Sequence, residues 1–121
     1  MKLIDSNLVI YSAYPEYEYL RTLVINETSY VSEITRVEVL GYHQLSMQEK
    51  RFYESLFQTI QIVLPDQSIY DRAIQLRQNQ RVKLGDSLIA ATALELGFTL
   101  YTRNDVDFKG IPELTVVNPV R

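Results

Sequence analysis

Five carboxylates in this chain stand where a carboxylate is costly or conspicuous. Asp5 interrupts the apolar run of LIDSNLVI, and an acid at the edge of a core must be paired, hydrogen-bonded or bound to a cation. Glu38 lies between Val37 and Val39 in ITRVEVLGY, where helical spacing puts Ile34, Glu38 and Tyr42 on one mostly apolar face. Asp86 opens LGDSLIAATALELG at a helix N-terminus, and Asp105 and Asp107 follow the apolar FTLYT in TRNDVDF. Singly, each has an ordinary reading: Asp5 a turn residue, Glu38 a solvated or singly paired helix residue, Asp86 a helix cap, Asp105 or Asp107 loop polarity. Gathered in one place without cations beside them they would repel one another, and a divalent ion would remove that repulsion. Ligation by oxygen alone suits Mg2+ or Mn2+ and disfavours Zn2+.

The elements that must position these acids alternate short apolar runs with amphipathic stretches, the pattern of parallel α/β architecture. Strands are expected at Lys2 to Asp5, Ser29 to Ser32, Ile60 to Leu64, Thr99 to Thr102 and Leu114 to Val117. Ser6 is the expected N-cap of a short helix ending near Pro15. A helix over Glu16 to Ile25 follows, burying Tyr19, Leu20, Leu23 and Val24. Further helices are expected at Ile34 to Leu45 and at Gln48 to Thr59, with a break near Ser46. Asp66 caps Ser68 to Asn79. The clearest helix is Asp86 to Leu96, with a stripe of Leu88, Ile89, Thr92, Ala93 and Leu96 and a stop at Gly97. Ligand sites of open parallel sheets lie beyond the carboxyl ends of the strands. Asp5 ends the first strand, and Asp105 and Asp107 emerge after FTLYT on the same edge.

With 121 residues, 46% of them hydrophobic, the chain fits one compact domain over residues 1–121. The absence of cysteine excludes disulfides and thiolate metal sites. No apolar run approaches the ~18 residues of a membrane helix, and no signal-peptide pattern opens the chain, so no membrane association and a cytoplasmic location are expected. A net charge of −3 argues against a generally basic surface, while leaving room for a local basic rim around an acidic centre.

In their order along the chain, LIDSNLVIY, VSEITRVEVLGY, KLGDSLIAATALELGFTLYTRNDVDF and IPEL resemble the PIN-domain nucleases and, among them, the small VapC-like toxins of prokaryotic toxin–antitoxin pairs. The resemblance implies a three-layer α/β/α sandwich around a mainly parallel sheet of about five strands. It also implies an acidic pocket for Mg2+ or Mn2+ and hydrolysis of RNA phosphodiester bonds. Asp5, Glu38 and Asp86 match the family's first three acids. Asp107, directly before Phe108, matches the fourth, although Asp105 could also reach the pocket. Asn104 matches the motif's polar residue and would orient a ligand or water. Ser6 stands where Thr is more usual, and its hydroxyl could cap the helix or bond a pocket carboxylate.

On this reading Asp5, Asp86 and Asp107 bind one or two ions, and Glu38 completes the cage or takes a proton from water. His43, the only histidine, lies beyond the Glu38 helix and reads as a surface residue, which disfavours a metal-independent ribonuclease. Arg36, Arg81, Lys83, Arg103 and Lys109 could rim the pocket and meet RNA phosphates, Arg103 first among them. Tyr19, Tyr30 and Tyr101 read as packing rather than base-stacking residues. The apolar surplus of YSAYPEYEYLRTLVI, Tyr11 to Ile25, offers a groove for an antitoxin helix or a homodimer surface. The alternative function is a catalytically inactive PIN-like module that binds RNA or protein, although all four acidic positions are filled. A phosphoryl-acceptor receiver domain leaves Glu38 unexplained. A DxD phosphatase would need an acid where Asn7 stands.

Overall fold

The computed structural model describes residues 1–121. Five parallel strands form one sheet: β1 (Lys2–Ile4), β2 (Ser29–Ser32), β3 (Gln61–Val63), β4 (Thr99–Tyr101) and β5 (Val116–Val117), in the order β3-β2-β1-β4-β5. The chain builds outward from β1 to β3, then crosses back to lay β4 on the other flank of β1. That reversal puts the topological switch point between β1 and β4, where open α/β sheets form their clefts. The register is Lys2 with Thr99, Leu3 with Leu100 and Ile4 with Tyr101. The residues that follow each strand, Asp5 and Thr102, are therefore brought side by side.

Alternation along the strands divides the core in two. Leu3 and Leu100 face α5 (Gln67–Asn79) and α6 (Leu84–Leu96), together with Ile69, Ala73, Leu76 and Phe108. Ile4 and Val31 face the other way, onto α1 (Ser6–Tyr11), α2 (Tyr19–Val24), α3 (Glu33–Leu40) and α4 (Met47–Thr59). These helices cover both faces of the sheet and give the expected three-layer sandwich. Helix α6 is buried continuously from Ser87 to Ala93, as befits a helix apolar nearly all round. Its two buried hydroxyls are satisfied internally, Ser87 donating to the Leu84 carbonyl and Thr92 to the Leu88 carbonyl.

Several boundaries differ from the sequence expectation, each for a local reason. Asp5, not Ser6, caps α1: its carboxylate accepts from the Ser6 N–H. The helix expected over 16–25 is a 3-10 turn at Pro15–Tyr17 followed by α2, with Tyr19 and Leu23 only half-buried. Helix α3 stops at Leu40, capped by Gly41, rather than running to Leu45. Ser46 forms a reciprocal capping box with Glu49 and starts α4. Asp66 caps α5 as expected, while α6 starts two residues before Asp86. Gly97 adopts φ 69°, the left-handed conformation that ends a helix at little cost to glycine. The chain after β4 is a short helix, α7 (Asp105–Phe108), rather than plain loop.

Tyr53 of α4 is buried and donates its hydroxyl to the Ile10 carbonyl at 3.0 Å, fastening α4 to α1. Burial, with lesser contributions from Tyr14 and Glu49, pushes its phenol up to about 12. The neutral phenol's contribution is thus complete below pH ~10, the ordinary tyrosine value, and is lost as pH rises through about 12. Tyr53→Phe should cost about 1 kcal/mol at neutral pH. It should also flatten the alkaline loss of stability between these values, as read by urea unfolding at a series of pH values.

Candidate active site

Asp5 is the hub of the cleft. Its carboxylate is 6% exposed and held by three donors: Ser6 N–H to Oδ1 at 2.8 Å, Thr102 Oγ1 to Oδ2 at 2.8 Å, and Asn7 Nδ2 to Oδ2 at 3.3 Å. Burial raises its pKa most, Thr102 and Ser6 oppose that, Glu38 raises it by repulsion, and Asn7 opposes. The three donors orient the group but bring no positive charge.

Glu38 reaches the same place from α3. Its Oε1 accepts from Ser6 Oγ at 2.8 Å, and that hydroxyl also lies 3.2 Å from Thr35 Oγ1. The expected inward stripe is corrected here: Glu38 is exposed rather than turned into the apolar core, and Tyr42 falls outside α3. The first turn of α6 approaches the Glu38 side chain at Gly85. A Cβ at Gly85 would stand 3.2 Å from Glu38 Oε2.

Asp86, half-buried in that first turn, completes the convergence. Burial raises its pKa first, then the charges of Asp5 and Asp107, while Lys83 lowers it. Asp86 and Asp107 line one pocket of about 210 Å³ with Arg81, Val82 and Lys83. Asp105 points elsewhere: Asn118 Nδ2 donates to its Oδ1 at 3.2 Å and to the Arg103 carbonyl at 3.1 Å. The geometry therefore gathers Asp5, Glu38, Asp86 and Asp107, and sets Asp105 outside. The chain's two salt bridges, Arg36 with Glu33 and Arg72 with Glu95, involve none of the four gathered acids, and Lys83 offsets part of the repulsion at Asp86 without an ion pair.

The remaining expected site residues separate. Ser6 bonds Glu38 directly. Asn104 is exposed, its backbone N–H donating to Thr102 Oγ1 at 3.0 Å. Arg103 turns away from the acids: its guanidinium lies 4.9 Å from the Tyr11 ring centroid and bonds the Tyr11 hydroxyl. Arg36 is tied to Glu33 at 2.9 Å. Two residues were missed by sequence reasoning. Thr102 and Asn7 hold Asp5, and Asn7 Oδ1 also accepts from the Arg103 N–H at 3.1 Å. The signal for Thr102 was its place directly after an apolar strand, but only the pairing of β4 with β1 makes it a neighbour of Asp5.

The donor set fits a hard divalent cation. It is oxygen-only, and none of its members is in a salt bridge. As posed, no three of the acidic side chains stand within reach of one ion, so binding one requires side-chain rearrangement.

Residues 2–114 match the family described as PIN domain. The chain belongs to the PIN-domain family. This PIN domain is 34% identical over 100 residues to a protein named ribonuclease VapC1 from Rickettsia felis, covering 74% of this chain and 75% of the relative. It is 30% identical over 102 residues to one named ribonuclease VapC from Rickettsia bellii, covering 75% and 76%. Among solved structures, it resembles a chain of a toxin–antitoxin complex from Klebsiella pneumoniae at TM-score 0.80 and 34% identity, covering 100% of this chain and 99% of that one. Within the PIN domain the acids come from four separate elements, and Thr102, directly after β4, donates to one of them, Asp5. Replacing its hydroxyl by a methyl in Thr102→Val should cost about 1.5–3 kcal/mol, the range for a hydrogen bond to a charged group, measured by urea unfolding at neutral pH.

Proposed function

We propose that this PIN domain is a metal-dependent endoribonuclease that hydrolyses RNA phosphodiester bonds and acts as the toxin of a toxin–antitoxin pair. The observation that supports the reading is the approach of Asp5, Glu38, Asp86 and Asp107 at the switch point with no salt bridge to any of them, Lys83 alone offsetting part of the repulsion at Asp86. The names of its Rickettsia relatives and the Klebsiella complex support the same class and an antitoxin as partner. Asp5, Asp86, Asp107 and Glu38 would hold Mg2+ or Mn2+. Bound there, the cation supplies Lewis-acid charge that activates water and offsets charge on the reacting phosphate.

The protein's own groups do the rest. Thr102, Asn7 and the Ser6 N–H fix the orientation of Asp5. Ser6 Oγ fixes one oxygen of Glu38, which leaves the other, beside Gly85, to accept a proton from water. Asp107, exposed at the mouth on α7, is the acid that substrate would meet first.

Asp86→Asn and Asp107→Asn should each reduce Mn2+-dependent cleavage of a single-stranded RNA at least ~100-fold, the scale of losing one group that stabilises transition-state charge, with the circular dichroism spectrum unchanged. Mn2+ should raise the parent's melting temperature by several degrees and Asp86→Asn by much less. Cleavage at the parental rate in both variants, or in excess chelator, contradicts the proposal.

A further inference from the structure

The pocket at Asp86 and Asp107 adjoins a second groove. The 210 Å³ pocket holding Asp86 and Asp107 shares Arg81 and Val82 with an adjoining groove of about 420 Å³, lined also by Arg77, Gln78, Asn79 and Gln80. The charge along this wall is unlike the rest of the chain. Between Asp71 and Asp86 lie Arg72, Arg77, Arg81 and Lys83 and no acid, although acids outnumber Lys and Arg in the chain by 15 to 12. Arg72 pairs with Glu95, whereas Arg77, Arg81 and Lys83 are exposed and in no salt bridge, Lys83 acting on Asp86 only through its charge.

The backbone presents these side chains in order. After α5 the chain is extended, with Gln80 at φ −159°, ψ 163° and Lys83 at φ −66°, ψ 153°. Arg77 Nε donates to the Val82 carbonyl at 3.3 Å and ties this connection to α5. Arg81 and Lys83, two apart in the extended segment, both line the pocket that contains Asp86 and Asp107.

We propose that the segment from Arg77 to Lys83 is the track on which the backbone of single-stranded RNA lies as it enters or leaves the acidic centre. Lys83 and Arg81 hold the phosphates next to the reacting one, and Arg77 with the neighbouring amides holds those beyond. The groove has one apolar side chain, Val82, which does not suit an amphipathic protein helix. Guanidinium, ammonium and carboxamide groups are what bind phosphate and sugar without reading sequence. This inference rests on the ribonuclease reading, yet binding can be measured apart from cleavage.

The experiment compares the parent, R81Q/K83Q and K50Q/R51Q, the last removing two exposed cations from α4. Affinity for a fluorescein-labelled single-stranded RNA is measured by anisotropy from 50 to 200 mM NaCl, and cleavage of the same RNA with Mn2+ in parallel. R81Q/K83Q should weaken binding about tenfold and raise KM similarly, with kcat within about twofold. It should also reduce the slope of log affinity against log salt by about 1.4, at ~0.7 per phosphate contact, whereas K50Q/R51Q keeps the parental slope. Equal affinities and slopes in all three proteins overturn the track and leave the ribonuclease reading standing. RNA bound through Arg81 and Lys83 but never cut keeps the track and removes the nuclease. A parent that neither binds nor cuts RNA overturns both.

Discussion

The buried carboxylate of Asp5 is the constraint around which the cleft is organised. Three donors hold it, yet none is charged, and burial and the charge of Glu38 both work against its ionisation. A hydrogen-bonded but uncompensated carboxylate is positioned, not neutralised. A similar condition holds at Asp86, which burial, Asp5 and Asp107 disfavour as an anion more than Lys83 offsets. An arrangement that makes each acid worse for its neighbours gains most from a cation.

What brings the acids together is the order of the strands. Laying β4 against β1 in parallel sets Thr102 beside Asp5, and buries one bond between elements 97 residues apart in sequence. Helix α6 adds Asp86 from its first turn, where Gly85 lies against the Glu38 side chain, and α7 adds Asp107 while Asp105 bonds Asn118. The apolar layers hold these pieces in register: Leu3 and Ile4 anchor opposite halves of the core immediately before Asp5.

Much of this was legible in the chain. The five strands were readable as short β-branched or aromatic runs, and Gly97 and Asp66 marked helix ends by chemistry that needs no tertiary context. Asp5 was conspicuous because it broke an apolar run. Other features were hidden because they depend on pairing. Strand order cannot be read from periodicity, so Thr102 looked like the end of a strand rather than a donor to Asp5. Glu38 looked inward by helical spacing, but α3 ends at Gly41 and leaves that face open at the cleft. The choice of Asp107 over Asp105 rested on resemblance; the fold sets Asp107 in one pocket with Asp86 and Asp105 against Asn118. Arg103 seemed the foremost rim cation by its position, yet the Tyr11 ring holds it aside, while the quieter Arg81 and Lys83 line the pocket.

The central claim is that Asp5, Glu38, Asp86 and Asp107 form one cation site. The most direct measurement is anomalous scattering from a crystal of the protein soaked in Mn2+. The account predicts a peak at the carboxyl ends of β1 and β4 within ligand distance of Asp5 and at least one of Asp86 and Asp107, with Asp105 still on Asn118. Density for Mn2+ on Asp105 in place of Asp107, or no peak in the cleft at saturating Mn2+, would contradict it.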